Sequence, residues 1–400
     1  MTENPRNVTH FFQVDSDRRR ILGQALGISS ILVAPSLLLG CGDGGAELNG
    51  GDLNHRVQVL SLQTPTPNLD VLHPREENES IIDVAKREIA DRQLKLAAAL
   101  TSALTQLKSD SFRPHVTFFT APEIYWNIPW ILVKNEEELQ QLSMFYRDEV
   151  KKQVQQLIGK FPAAEWGKLI LLPGTNALLS LSRQNPNRYE AINYVVAANN
   201  FGPGSEHGTS YVSIWPKRNT ALIDFLGLSA QIAVEKDEKL IVVDMEAPDP
   251  ELFAGDPPQL FIYQLSDTLS VPVYELSTVV AEHDTNSGYA PLFDNQILPS
   301  IPFGIDICAD FGLGRLDELK QPEVKLNFLI AAGQPIPRDI SQLEGKFFPE
   351  SLQYLIRNDG VAAKGAPYCE VLRVVKGQLG ERVQGRLLDQ NIWLYQLDIK

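Results

Sequence analysis

Hydrophobic and polar positions along the chain alternate between two periods, and the changes of period predict the elements. Short branched or aromatic runs bounded by Pro, Gly or Asn read as strands. These are His55 to Gln63 (HRVQVLSLQ), Arg113 to Glu123, Lys168 to Gly174 (KLILLPG), Tyr194 to Asn199, Tyr211 to Trp215, Val324 to Ala332 and the C-terminal NIWLYQLDIK. Val361 to Val375 supplies a further strand or hairpin. Two longer stretches carry the helical period. Over 79–108 the apolar positions Ile82, Ala85, Ile89, Leu96, Leu100, Leu104 and Leu107 recur at helical spacing without Pro or Gly. Asn135 to Lys160 is amphipathic, acidic at its start and basic towards its end, as the helix dipole favours. Tyr194 to Asn199 and Tyr211 to Trp215 flank NFGPGSEHG and read as a hairpin with a long turn. Periodicity alone therefore gives a mixed α/β domain.

The sharpest change of pattern lies in Ile301 to Gly314, IPFGIDICADFGLG, where an apolar run stops at Cys308-Ala309-Asp310 and turns through glycines. A run of Ile and Phe fits a strand buried on both faces, and such strands present reactive groups at their C-terminal ends. A lone cysteine is more often a buried, inert side chain. Two other strand ends change that weighting. VTFFTAPEIYW places Glu123 after Pro122, which stops the strand, among aromatic residues that would desolvate a carboxylate and raise its pKa. YVSIWPK ends in Lys217, a cation suited to a developing oxyanion, although the adjacent Arg218 is equally basic.

Together, APE, WPK and ICAD resemble the catalytic stretches of the nitrilase superfamily of carbon–nitrogen hydrolases, over roughly residues 55–375 and in element order more than in sequence. The resemblance implies a four-layer α-β-β-α sandwich in which Glu123, Lys217 and Cys308 form a triad, with the Ala309 backbone N–H as a second oxyanion donor. It also favours Lys217 over Arg218. The stretch between Lys217 and Cys308 is much longer than in those enzymes, so about 229–297 is expected to be an insertion forming a lid or pocket wall, with added strands at Lys239 to Val243 and Gln259 to Leu265. The family's second glutamate, which orients the lysine, has three candidates here: Glu235, Glu246 and Glu282. Ser205-Glu206-His207 does not match a G-x-S-x-G elbow and reads as a solvated turn.

The first forty residues carry a different signal. Asp17-Arg18-Arg19-Arg20 precedes an uncharged apolar segment, Ile21 to Gly40, which resembles a twin-arginine signal peptide. Leu38-Leu39-Gly40-Cys41 resembles a lipobox, which would make Cys41 the lipidated first residue of an exported protein held to the membrane by lipid alone. Residues 41–54, with five glycines after Cys41, read as a flexible tether, and 55–400 as one domain.

Charge narrows the partners. A net charge of −14, from 36 basic and 50 acidic residues spread along the chain, argues against nucleic acid. Six histidines and three cysteines show no metal-ligand spacing, and neither metal nor cofactor is expected. The expected reaction is hydrolysis of a small linear amide through a thioester; Ala309 and Asp310 after the cysteine differ from the Trp-Glu pair of nitrile-acting relatives. A catalytically silent binding lipoprotein and a thioester-dependent N-acyltransferase are the alternatives. The final strand can close its own sheet or pair with a second subunit.

Overall fold

The computed structural model describes residues 55–66, 74–182, 185, 187–202, 211–217, 220, 222–225, 228–237, 239–243, 259–274, 301–312, 324–336, 348–361, 367–389 and 391–400. The twin-arginine and lipobox residues with Cys41, the Ser205-Glu206-His207 turn, Arg218, Glu246 and Glu282 lie outside them.

The described chain is mixed α/β, with two large sheets and few helices. In the first sheet, β1 (His55–Leu62), β2 (Val116–Ala121) and β3 (Leu169–Pro173) run parallel side by side. β17 (Ile392–Ile399) pairs antiparallel with β1 from His55↔Ile399 to Leu62↔Ile392, so the C-terminal strand closes its own sheet, with β16 (Arg386–Asp389) at its edge. Beyond β3 comes β5 (Tyr189–Asn199), a long strand that pairs antiparallel with β3, with β4 (Thr175–Leu181) and with β6 (Tyr211–Pro216). The β5–β6 pairing runs from Asn199↔Tyr211 to Tyr194↔Pro216, which is the expected hairpin. The second sheet holds β11 (Phe303–Ile307), β12 (Leu326–Ala331) and β13 (Tyr354–Asp359) in parallel, then β14 (Cys369–Val375) and β15 (Gln378–Arg382) antiparallel.

The alternation of side chains along β1 to β3 explains how the sheets stack. Val57, Val59, Val116, Phe118, Ile170 and Leu172 enter a core shared with Ile305, Ile307, Phe328 and Ile356 of the second sheet. Phe118 sits 5.1 Å from the Phe303 ring and 4.8 Å from that of Phe328, joining the two sheets at their centre. The alternate positions Leu60, Leu62, Phe119, Ala121, Leu169 and Leu171 face α1 (Ile81–Leu107) and α2 (Glu136–Gly159). Strands that bury both faces need the unbroken apolar runs seen in the sequence. Both helices begin at side-chain caps: Ser80 Oγ accepts from Asp83 N and Asn135 Oδ1 from Glu138 N. The acidic first turn of α2 is present, but its last turn carries no basic residue. The described chain therefore supplies a helix layer and two sheets. On the outer face of the second sheet its helical cover is the four-residue α3 (Ala309–Gly312), with Phe311 and Phe348 among the packed side chains.

The segment expected to be an insertion forming a lid or pocket wall carries the two strands expected in it, at Lys239–Val242 and Gln259–Gln264, and two more beside them. β7 (Ser229–Lys236), β8 (Lys239–Val242), β9 (Gln259–Gln264) and β10 (Ser270–Tyr274) continue the first sheet in the order β5-β10-β9-β7-β8. Its alternating apolar residues bury Ala233, Leu260, Tyr263, Val271 and Val273, so this stretch gains stability as added strands and leaves β8 at the edge. No helix of the described residues is long and apolar enough to cross a membrane.

Between β3 and β4, which follow one another along β5 in the same direction, the pairing register slips by one residue at Gly174, with φ +83°. An added Cβ there would lie 2.5 Å from both Pro122 O and Tyr125 Cβ, on the turn that carries Glu123. Gly174→Ala combines left-handed strain of about 1–2 kcal/mol with an overpacking cost of about 1–3 kcal/mol. We expect urea unfolding to show a loss of about 2–5 kcal/mol; a loss below about 0.5 kcal/mol would mean that the turn accommodates a side chain.

Candidate active site

Three strand ends and one short turn build the site. β2 stops at Ala121 because Pro122 has no N–H for the ladder, and the next residue, Glu123, turns inward. Its own N–H is held by Ala331 O at 3.2 Å, and Ile124 N, at φ +62°, by Thr175 Oγ1 at 2.8 Å. The Glu123 position is thus fixed from both sheets. β6 delivers Lys217, whose backbone N donates to Asn193 O at 2.8 Å, and Trp215 Nε1 ties the same strand to Ile305 O across the sheets at 2.9 Å. β11 delivers Cys308, whose N–H is bound by Ile330 O at 2.9 Å.

Cys308 has φ +47°, a left-handed conformation that costs a side-chain-bearing residue about 1–2 kcal/mol. Strain of this kind persists where the surroundings fix it, and it aims the thiol out of the strand direction.

The three side chains meet. Lys217 Nζ donates to Glu123 Oε1 at 2.8 Å and to both oxygens of Asp224, at 2.6 and 2.8 Å. Asn193 Nδ2 donates to the same Glu123 Oε1 at 3.0 Å. Glu123 Oε2 accepts no hydrogen bond from a nitrogen or oxygen donor of the described residues, and the carboxyl lies beside the Cys308 thiol. Glu123, Lys217 and Asp224 are all 0% exposed and Cys308 only 3%.

Burial at this depth decides the protonation states. Burial raises the Glu123 carboxyl to about 7, opposed by the Lys217 ammonium. Burial alone would strip Lys217 of its proton, but the Asp224 and Glu123 carboxylates outweigh it and hold the ammonium well above its usual range. The Cys308 thiol is pushed well up by burial and by Glu123, so it rests protonated. Such an arrangement holds a fixed cation, a carboxyl poised near neutrality and a thiol in one water-poor site. It can move the thiol proton to the carboxylate and stabilise negative charge beside the ammonium.

Asp224, the acid that orients Lys217, was not among the expected candidates. It closes a short 3-10 turn, Leu222–Asp224, seven positions after the lysine. Glu235 belongs to β7 in the sheet extension. A shorter acid on a nearby turn reaches the ammonium where a glutamate from a distant segment was anticipated, and an acidic residue ending a turn soon after the lysine was the available signal. Asn127, which donates to Asp224 O at 2.5 Å and accepts from Ala177 N at 2.8 Å, locks that turn in place. Asn193 and Thr175 were also missed, because their roles exist only through pairing across β4 and β5. The aromatic residues expected around Glu123 divide differently: Tyr125, Trp126 and Trp130 pack towards the helices, and Phe118 lies between the sheets. Cys308 and Cys369 are free and buried thiols. No cluster of metal-ligating side chains occurs among the described residues.

No family model matches the chain, and no curated protein matches it. Among solved structures it is similar to a carbon–nitrogen hydrolase from Helicobacter pylori G27, at 14% identity over 86% of this chain and 89% of that one, with a TM-score of 0.37. It is similar to a variant of the amidase from Nesterenkonia sp. AN1, at 9% identity over 89% and 94%, with a TM-score of 0.35. A third is Saccharomyces cerevisiae Nit3, a member of branch 10 of the nitrilase superfamily, at 12% identity over 86% and 90%, with a TM-score of 0.34.

The raised Glu123 carboxyl has a consequence for stability. Between about pH 4.5 and about 7 the unfolded chain loses the Glu123 proton while the folded one keeps it, so this residue's contribution to stability falls as pH rises through that window. Glu123→Gln removes the proton. Denaturation midpoints of the wild type should therefore fall relative to Glu123→Gln from pH 4.5 to pH 7.5, and parallel profiles would contradict a buried, raised carboxyl.

Proposed function

We propose that this chain hydrolyses a non-peptide carbon–nitrogen bond, with a linear amide as substrate and Glu123, Lys217 and Cys308 as the catalytic triad. The observation that carries the reading is the contact of Glu123, Lys217 and Cys308 at three separate strand ends, with Cys308 on a strained turn. Reactive thiols need a base and a cation in reach, and a merely structural cysteine needs neither.

In the proposed reaction the Cys308 thiol gives its proton to Glu123 and the thiolate attacks the amide carbon. The carbonyl oxygen takes the negative charge, stabilised by the Lys217 ammonium and the Ala309 N–H. Collapse of the tetrahedral intermediate breaks the C–N bond, and the amine leaves with the proton returned by Glu123. The same carboxylate then activates water, which cleaves the thioester to acid and frees the thiol. A carboxyl at about 7 suits both directions of this shuttle near neutral pH. Asp224 keeps Lys217 charged throughout without touching the reacting atoms.

The small Ala309 beside the nucleophile and the buried Asp310 favour amide over nitrile. The same reading places the protein outside the cytoplasm, lipid-anchored at Cys41 after a twin-arginine signal, with a small-molecule amide as its partner. The mass of the mature N terminus from membrane fractions tests the anchor; an unlipidated N terminus upstream of Cys41 would contradict it.

Purified protein assayed for ammonia or amine release should turn over short-chain amides faster than the matching nitriles. Cys308→Ala should abolish turnover without unfolding, and Lys217→Ala should lower kcat by about 10²- to 10³-fold, the effect of one oxyanion donor. Full activity in Lys217→Ala would give the electrophile's role to another group. Faster nitrile turnover would overturn the amide assignment, and acyl transfer to added amines outrunning hydrolysis would make the protein an acyltransferase. Absence of any turnover across both substrate series would favour a binding lipoprotein.

A further inference from the structure

Behind the site, the end of β12 and the turn that leaves it hold the backbones of both Cys308 and Glu123. Ile330 O holds Cys308 N at 2.9 Å, Ala331 O holds Glu123 N at 3.2 Å and Gly360 N at 2.9 Å, and the Ala332 N–H points at the Cys308 sulfur. This turn passes through Gly333 at φ +98°.

Two buried charged residues grip it from the far side. Asp359 Oδ1 accepts from Gly333 N and Val361 N, both at 2.7 Å. Arg357 Nε donates to Gln334 O at 2.9 Å, and its Nη2 donates to Asp359 Oδ2. Its Nη1 donates to Pro367 O at 2.9 Å and Glu370 Oε1 at 3.1 Å. Arg357 and Asp359 are 0% exposed. A buried ion pair is weak evidence for stability, since desolvation offsets much of its attraction. Here the pair binds Gly333 N and Gln334 O, the backbone groups that follow Ala332 in the turn, which is a geometric task an apolar pair could not perform.

We propose that Arg357 and Asp359 are positioning residues of the site: by fixing the 331–334 turn they hold the Ala332 N–H against the Cys308 sulfur, where it stabilises the attacking thiolate. This rests on Cys308 being the nucleophile. The thiolate arises when Cys308 passes its proton to Glu123, and the Ala332 N–H then hydrogen-bonds the sulfur that has become anionic. The other charged groups facing that sulfur are Glu123 from the end of β2, Lys217 from the end of β6 and Asp224 from the 3-10 turn. None of them is altered by a change at Asp359.

The test is the pH dependence of iodoacetamide alkylation at Cys308, followed on its own peptide by mass spectrometry so that Cys369 does not contribute, together with kcat and KM. Asp359→Asn keeps the shape but loses the charge that binds Arg357. It should raise the alkylation midpoint by about one pH unit and lower kcat about tenfold or more, with KM within about twofold, the scale of one hydrogen bond to a charged group. A folded Asp359→Asn with wild-type midpoint and kcat overturns the proposal. Should Asp359→Asn fail to fold, Gly333→Ala takes its place. It strains the turn at φ +98° while its Cβ meets nothing nearer than Val361 Cβ at 3.9 Å, and every buried charge is kept. The same shift is expected there, and wild-type behaviour overturns the proposal. Failure of both variants to fold reduces the pair to a folding element and also overturns it. Alkylation reads the thiol directly, so a shifted midpoint in a protein that turns over no amide would leave the positioning intact and sink the hydrolase reading alone.

Discussion

The whole arrangement depends on keeping one ammonium charged where water cannot reach it. Lys217 is fully buried, and an isolated cation at that depth would lose its proton. Asp224 supplies the compensating charge through two hydrogen bonds, leaving Glu123 to share the ammonium through only one oxygen. The carboxyl, raised by burial to about 7, leaves its second oxygen without a nitrogen or oxygen donor among the described residues and lies beside the Cys308 thiol. Removing Asp224 would hand the ammonium to Glu123 and convert a proton acceptor into a plain ion-pair partner. The protonation state of the carboxyl beside Cys308 is in this sense set by Asp224 acting through Lys217.

The fold supplies this arrangement by bringing strand ends from two sheets to one level. Pro122 ends β2, the hairpin of β5 and β6 ends at Lys217, and β11 ends in the strained Cys308. The carbonyls of Ile330 and Ala331 bind the backbone of Cys308 and Glu123, so the second sheet sets the spacing between the thiol and the carboxyl. Phe118, between Phe303 and Phe328, joins the same strands a few residues earlier, so packing and site geometry share elements. The strands β7 to β10 enlarge the first sheet beyond β5, on the side away from β2.

Much of this was legible in the sequence because strand ends leave local marks. Pro122 before Glu123, Pro216 before Lys217 and the break from IDI to CADF each announce a strand end carrying a side chain of the candidate site. The long helices were visible through their period. What escaped the sequence depends on pairing between distant segments. β4 and β13 are absent from the sequence reading although both are largely buried, since each mixes polar residues such as Asn176 or Arg357 into its apolar run and gains its burial only through its strand partners. Asp224, Asn193, Thr175, Arg357 and Asp359 are polar residues in ordinary-looking stretches, and burial alone gives them their tasks. In the segment 229–297 the runs Lys239 to Val243 and Gln259 to Leu265 announce two strands, but their pairing with β7 and β10 and their place beyond β5 depend on distant partners.

The account turns on a covalent bond at Cys308. Wild-type protein quenched in acid during turnover of a short-chain amide, digested and analysed by mass spectrometry, should carry the acyl group of that amide on the Cys308 peptide, and the adduct should disappear as substrate is exhausted. Turnover with no adduct at Cys308 under rapid quenching, or with the acyl group on another residue, would contradict it.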